Sequence, residues 1–359
     1  MKYRPYGSTG KNISVIGCGG MRFENAEDTD TCAQIVLHAH SKGVNYFDTA
    51  PGYCHDQSEI IMGHAFRQME PGSFYVSTKS SRKTAGELRE QLERSLERFG
   101  VEAIDFFHIW CVLSLEDWAS RAEALAEALK AKEEGLIRHL AISSHLPGAD
   151  LARILRDYPF EGVTLGYNAI NHGFRQAALD AAGEMKKGVV AMNPLGGGVI
   201  PQNPDHFKFL DSGSSVVHGA LRFVISSPFI TAALVGFSSI EHVDEALGAA
   251  DDIEMLTANM HAEYRSHQGE SIPDLCTGCG YCLPCPHGVQ VPKLMDAYNM
   301  KILTPHNERA IAERLAYHWL LSPEDAWPCT RCGICEKRCT QHLPIRSRLD
   351  QIRQLEPLR

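Results

Sequence analysis

Asp48, Tyr53 and Lys79 could share one proton-transfer task. A phenol is a poor acid near neutral pH, but a neighbouring ammonium lowers its pKa, and a carboxylate keeps that ammonium charged and oriented. Taken singly, the three read as a strand-end carboxylate, a loop aromatic and a solvated charge; their order along the chain makes them a set. Near the other end, eight cysteines form two tight groups: Cys276, Cys279, Cys282 and Cys285, then Cys329, Cys332, Cys335 and Cys339. Two-residue intervals let successive thiolates converge on one cubane while a remote fourth cysteine completes the other, a pattern pointing to two [4Fe-4S] clusters. Zinc, the alternative, needs only four thiolates per site and usually takes C-x2-C pairs separated by a longer gap. Cys18, Cys32, Cys54 and Cys111 are scattered, so the clustering reads as metal ligation in a reducing compartment and not as a disulfide framework.

These side chains need elements to hold them. Asp48 ends the strand-like run Val44-Asn-Tyr-Phe-Asp48, Tyr53 follows on the next loop, and Lys79 ends the run Ser73–Lys79. The C-terminal ends of strands are where parallel α/β folds place their sites. Strand-like runs fall at 13–17, 44–48, 74–78, 104–110, 139–143, 162–167, 188–193 and 230–236, with helical periodicity between them, which predicts a (β/α)8 TIM barrel. An open doubly wound sheet fits less well, because the runs number eight and nucleotide-fingerprint glycines are missing. Thr84-Ala-Gly-Glu87 is a capping box, with Leu88, Leu92, Leu96 and Phe99 recurring behind it at helical spacing. At 260–275 the pattern turns polar and ends in Ser271-Ile-Pro273-Asp274. A barrel is therefore expected over 1–265 and a second domain over 266–359. Within the latter, 287–328 lacks strand signal and reads as helices, including 293–299 and 308–321.

Composition narrows the function classes. The chain has 359 residues, 44% hydrophobic and 22% charged, with net charge -9, which suits a globular protein with a large core. Acidic balance without a basic run argues against nucleic acid and anionic membrane surfaces as partners. With no spanning apolar run and no signal-peptide pattern, a cytoplasmic location is expected.

The residues and their order resemble the aldo-keto reductase family. The resemblance is carried by Asp48, Tyr53 and Lys79, by Met1–Gly7 with Ile13–Arg22, by Gly135–His145 and by Met192–Gly198, and it covers about residues 1–260. It implies that Tyr53 protonates a carbonyl as NADPH or NADH delivers hydride, that Lys79 lowers the Tyr53 pKa and that Asp48 pairs with Lys79. The family's fourth member is a histidine ending the fourth strand. Here the spacing from Asp105 puts Trp110 at that place, with His108 two residues earlier, on the same face of a strand but roughly 6–7 Å deeper. Either His108 is an interior histidine and Trp110 lines the pocket, or a local bulge lifts His108 to the rim.

For the cofactor, the resemblance implies Gly20 and Met21 from the opening signature and Ser143 and Ser144 at the nicotinamide. Met192 stands in place of a stacking aromatic, and Asn193, Pro194, Leu195 and Gly196 lie near the pyrophosphate. Gly236, Ser238, Ser239, His242 and Glu245 fall at the adenosine phosphate; His242 stands where many relatives carry arginine, which leaves NADH against NADPH open. The C-terminal cysteines resemble two-cluster ferredoxins of the helical type, in which Cys276, Cys279, Cys282 and Cys339 would hold one cluster and Cys285, Cys329, Cys332 and Cys335 the other. The interval before Cys285 is two residues and not the commoner three, and Thr340 replaces the proline expected after Cys339.

The expected activity is reduction of a small carbonyl compound, with clusters that exchange electrons with a ferredoxin-like or other redox protein. The alternative is an electron-transfer or redox-sensing protein whose barrel has a degraded tetrad. Clusters that only pin the C-terminal helices are a third reading.

Overall fold

A computed structural model describes residues 1–211, 215–251, 274–307 and 309–358. It divides into two compact units, Met1–Leu195 with Leu210–Met260, and Gly196–Phe209 with His261–Arg359. The boundary expected near 265 lies outside the described residues. The segment Gly196–Phe209, expected within the barrel span, groups with the second unit.

The first unit is a closed barrel of eight parallel strands: β3 Ile16–Gly19, β4 Tyr46–Asp48, β5 Tyr75–Ser80, β6 Ile104–Val112, β7 Ile137–Ser144, β8 Gly162–Gly166, β9 Gly188–Met192 and β10 Ala232–Gly236, which closes on β3. Helices connect the strands, as a parallel sheet requires. The run expected at 13–17 is two elements: β1 Tyr3–Pro5 pairs antiparallel with β2 Asn12–Ser14, and β3 starts after Val15. Ser14 makes the break, donating its hydroxyl to Ile16 O (2.7 Å) while its N–H goes to Asn45 Oδ1 (2.7 Å). Between β1 and β2, Tyr6 enters the core with Ile13, Tyr46, Phe106, Val190 and Ala232, its ring centroid 4.2 Å from that of Phe106. A Cβ on Gly162 or Gly188 would come within 2.0–2.3 Å of Tyr6 atoms, so β8 and β9 begin with glycine to make room.

The helix Ala85–Phe99 starts at the expected cap, Thr84 accepting from Glu87 N–H at 3.4 Å, and ends at Gly100 in the left-handed region (φ 69°). Leu88, Leu92 and Phe99 are buried, as their spacing predicts. Leu96 is only partly covered. The fourth buried position is Ser95, whose hydroxyl donates to Glu59.

The second unit is built from helix Val291–Leu303, a turn Ala310–Glu313 that widens into a π-helix at Arg314–Trp319, and helix Ile345–Arg353. Its core includes Leu294, Met295, Leu315, Ile345, Leu349 and Ile352, with six of the clustered cysteines packed against it. The helix expected at 293–299 runs longer at both ends, with Pro292 in its first turn. That expected at 308–321 is interrupted by the π-helix, and Glu308 lies outside the described residues. No helix among the described residues is long and apolar enough to cross a membrane.

Candidate active site and cysteine centres

Parallel pairing of β4 with β5 sets Asp48 beside Ser77, and Lys79 lies two residues further along the same face. Lys79 Nζ is 2.5 Å from Asp48 Oδ1, with both side chains at most 3% exposed. Ser77 Oγ donates to Asp48 Oδ2 (2.6 Å) and accepts from Tyr46 Oη (3.0 Å). Both carboxylate oxygens thus have a donor, which offsets much of the cost of burying the charge. The ammonium lies 5.9 Å from the Tyr53 ring centroid.

Tyr53 is partly exposed, on a loop whose next residues, Cys54, His55 and Asp56, have φ of 51, 55 and 69°. Three consecutive non-glycine residues in this region cost about 1–2 kcal/mol each, so something must hold them. Arg98 does, with a fork on Asp56 (2.9 and 2.6 Å) and a third bond to Glu59 Oε2 (3.0 Å). Asp56 Oδ1 also accepts from Gly52 N–H (2.9 Å), and the hydrogen bonds from Arg98 hold its carboxyl below the usual range. Buried Glu59 accepts from Thr78 on β5 and from Ser95, both at 2.8 Å, so the chain of bonds runs from beside Lys79 to the Tyr53 loop.

On β6, His108 sits in the ladder opposite Lys79 and Ala141, fully buried. A bulge exists, but the register shifts between Ile109 and Val112, beyond His108, and does not lift it. His108 Nδ1 faces the Thr78 carbonyl (3.3 Å) and so carries the proton; Nε2, 3.0 Å from Thr164 Oγ1, accepts. Burial, with the Lys79 charge adding to it, pushes His108 down to about 4, so it is neutral. Trp110 lies further toward the rim, edge-to-face against Tyr53 with ring centroids 5.6 Å apart.

Among the expected nucleotide residues, Ser143 Oγ is buried and has no partner among the described residues. Ser144 instead donates to Val112 O (3.2 Å) and accepts from Leu146 N–H (3.1 Å), so its hydroxyl is engaged in the turn. Gly20 is explained by packing, since a Cβ there would fall 2.2 Å from Ser58 Oγ. Met21, Met192 and Leu195 are partly buried and Pro194 is buried. Asn193 is left-handed (φ 61°), its carbonyl held by Asn168 Nδ2 at 2.8 Å, while Gly196 belongs to the second unit. Ser239 caps the helix Ile240–Gly248, Ser238 Oγ bonds His242 Nδ1 (2.9 Å), and Glu245 accepts from Ser215 (3.2 Å). At Gly236 a Cβ would meet Arg22 Cγ at 2.5 Å, so the arginine side chain crosses that glycine.

In the second unit all eight clustered cysteines are free. Burial pushes the Cys276 thiol well above its ordinary value, and the neighbouring Cys279, Cys339 and Cys282 raise it further. Cys282, Cys285, Cys329, Cys332 and Cys335 line a small cavity together with Val289 and Leu349. Asn299 fixes the first group, donating to Cys276 O and accepting from Cys276 N–H, both at 2.8 Å. Thr340 Oγ1 lies 3.4 Å from Cys279 Sγ, and the Leu343 and Arg331 N–H groups point at Cys339 and Cys329 sulfurs (3.4 Å each). The eight thiols thus fall in two neighbourhoods with a few N–H and hydroxyl donors beside them, although among the described residues no group of three or more His, Cys, Asp or Glu is placed to hold a metal ion.

Residues 15–268 match the sequence model of the Aldo/keto reductase family. The chain belongs to this family. Residues 275–345 match a 4Fe-4S dicluster domain. L-galactose dehydrogenase of Arabidopsis thaliana is 27% identical over 293 residues, covering 71% of this chain and 90% of that protein. NADH-specific methylglyoxal reductase of Escherichia coli (strain K12) is 28% identical over 170 residues, 40% of this chain and 52% of that protein. Among solved structures, the aldo-keto reductase AKR11C1 from Bacillus halodurans (holo form) superposes with a TM-score of 0.65 at 20% identity, covering 74% of this chain and 96% of that one, which shows the fold.

This aldo/keto reductase is therefore an oxidoreductase with a C-terminal 4Fe-4S dicluster domain. Several residues around its site carry no signal in the sequence. Ser77, Thr164, Asn168 and Asn299 are ordinary polar residues until folding aims them, and Arg98 and Glu59 read as helix surface charges. Only the capping box offered a handle, since it fixes which face of the helix Arg98 occupies.

Proposed function

We propose that this aldo/keto reductase reduces a small carbonyl compound, with Tyr53 as proton donor and NADPH or NADH as cofactor. The observation that carries the reading is the buried Lys79–Asp48 pair beside the Tyr53 ring. Lys79, 5.9 Å from the centre of the Tyr53 ring, brings positive charge close to the phenol, which would make it a better acid. Asp48, held by Ser77, keeps the ammonium in place. As the substrate oxygen gains charge, Tyr53 transfers its proton to it, and Trp110 borders the same space. Ser143, buried with an open hydroxyl, fits the carboxamide of a nicotinamide, and Asn193 to Leu195 with Arg22 and His242 fit its phosphates. When bound, that cofactor supplies the hydride.

The test is anaerobic oxidation of NADH and NADPH against a panel that includes methylglyoxal and L-galactose-type sugars. Tyr53→Phe should lower kcat by about 10²- to 10⁴-fold. Unchanged turnover would remove Tyr53 from the chemistry.

Cys276, Cys279, Cys282 and Cys339 would hold one [4Fe-4S] cluster and the remaining four the other, supplying one-electron chemistry when loaded. A second reading, an electron-transfer or redox-sensing protein, is favoured by one observation: His108 is locked in the interior and Trp110 stands at the rim. It predicts no carbonyl-dependent oxidation of either nucleotide by protein whose clusters still cycle.

A further inference from the structure

The two cysteine groups differ in exposure. Of the eight thiols only Cys332 is exposed. The chain around it carries cations: residues 327–354 hold six arginines and lysines against two acids, five of the cations at least partly exposed because Arg348 is buried, with exposed Glu324 and Glu356 just outside, in a protein of net charge -9. Both acids within that stretch are already used. Asp350 pairs with Arg331 and Arg353, and Glu336 pairs with Arg346. Lys337 and Arg338 are exposed and have no carboxylate partner among the described residues, Arg338 bonding only Leu283 O (3.4 Å). Apolar side chains stand among these cations, with Trp327 61%, Leu283 40% and Ile334 36% exposed. The contacts tie the patch together: Arg353 donates to Trp327 O and Cys329 O, while Arg346, Thr330 and Ile334 line the cavity that includes Cys332. An exposed tryptophan among arginines is the composition of an interface centre, and unpaired cations steer an oppositely charged partner.

We propose that this face docks a small acidic ferredoxin, which passes one electron to the cluster held by Cys285, Cys329, Cys332 and Cys335. The proposal rests on the reading of those cysteines as cluster ligands. In the step the ferredoxin's cluster is oxidised by one electron and the receiving cluster is reduced by one; no bond is made or broken and no proton moves. An iron–sulfur carrier fits better than a nicotinamide, which gives up electrons in pairs, and an exposed ligand sulfur lets the electron enter without a channel. The acidity of the partner follows from the uncompensated cations, which would repel a basic carrier.

The experiment uses the full chain with reconstituted clusters, mixed in a stopped-flow instrument with reduced plant-type [2Fe-2S] ferredoxin, following cluster bleaching. Photoreduced deazaflavin, which needs no docking, gives the reference rate. The expected result is a second-order rate that falls about tenfold or more from low to high salt, and again in Lys337→Glu with Arg338→Glu, relative to the deazaflavin rate. Trp327→Ala should weaken docking at all salt concentrations. A cluster that deazaflavin reduces, but whose reduction by ferredoxin ignores both salt and charge reversal, overturns the docking face alone. If deazaflavin yields no reducible cluster signal, the ligand reading fails and the docking proposal goes with it.

Discussion

Lys79 and Asp48 form an ion pair with almost no exposure, and its value is positional more than stabilising. Removing one partner leaves the other buried and uncompensated, a loss of about 3–5 kcal/mol. Lys79→Met should therefore destabilise the barrel by that order, and adding Asp48→Asn should recover much of it while carbonyl reduction stays absent. Denaturation and turnover, measured on both single variants and the double, separate the two roles; a double variant no more stable than Lys79→Met would refute the coupling. His108 gives a prediction in pH. Its pKa falls from 6.5 toward about 4 on folding, so between those values the unfolded chain binds a proton that the native barrel does not. Stability should be level above pH 6.5 and decline as pH drops to 4, by roughly 3 kcal/mol in all from this residue. His108→Gln should flatten that part of the difference curve in denaturant titrations at successive pH values. At this scale the sequence displayed Asp48, Tyr53, Lys79 and the cysteines, because their types are rare enough to mean something at strand ends or short intervals. It concealed Ser77 and Thr164, since a hydroxyl on a strand gives no hint of what faces it across the barrel.

The element that carries Tyr53 stores strain in three left-handed residues, and one carboxylate, Asp56, ties it to Arg98. Asp56 is about half exposed, so Asp56→Ala should cost little global stability while releasing the loop. We expect kcat to fall by roughly 10-fold, short of the approximately 100-fold that a full 1 Å misplacement can cost, with KM for the nucleotide unchanged. An unaltered kcat would mean that the loop holds its shape without the Arg98 fork. Elements were legible where local signals agreed. The helix Ala85–Phe99 has its cap, its apolar stripe and its glycine stop. They were misread where a tertiary partner decided the matter: the run at 13–17 is one apolar stretch in sequence, but the bonds of Ser14 to Ile16 and Asn45 split it into a hairpin strand and a barrel strand. The π-helix at Arg314–Trp319 is similar, its Trp319 Nε1 and Arg314 Nε both reaching Asp296 Oδ2 (2.7 and 2.9 Å) on another helix.

Two units with separate apolar cores should unfold in two events, and the position of the cysteines predicts which one would depend on iron. The barrel cluster of Tyr6, Ile13, Tyr46, Phe106, Val190 and Ala232 contains none of the eight clustered thiols. The second unit is small, its helices are short, and six of those thiols flank its core, so cluster binding there would count as folding free energy. Calorimetry of cluster-loaded protein should show two transitions. After anaerobic chelation of the iron, one should stay within a degree or two, while the other drops by more than about 10 °C or disappears, since each kcal/mol is worth about 4–8 °C in a domain of this size. Near-complete retention of both would make the clusters pure electron carriers on a self-sufficient scaffold. The grouping of Gly196–Phe209 with the second unit adds a sharper requirement. A Cβ on Gly197 would lie 1.9 Å from Thr277 O, between Cys276 and Cys279, so the turn after β9 fits only against an ordered first cysteine loop. Limited proteolysis should therefore open cleavage within 196–209 once iron is removed, although that segment contains no cysteine. Protection of the segment in chelated protein would show that the cysteine loop keeps its shape without a cluster.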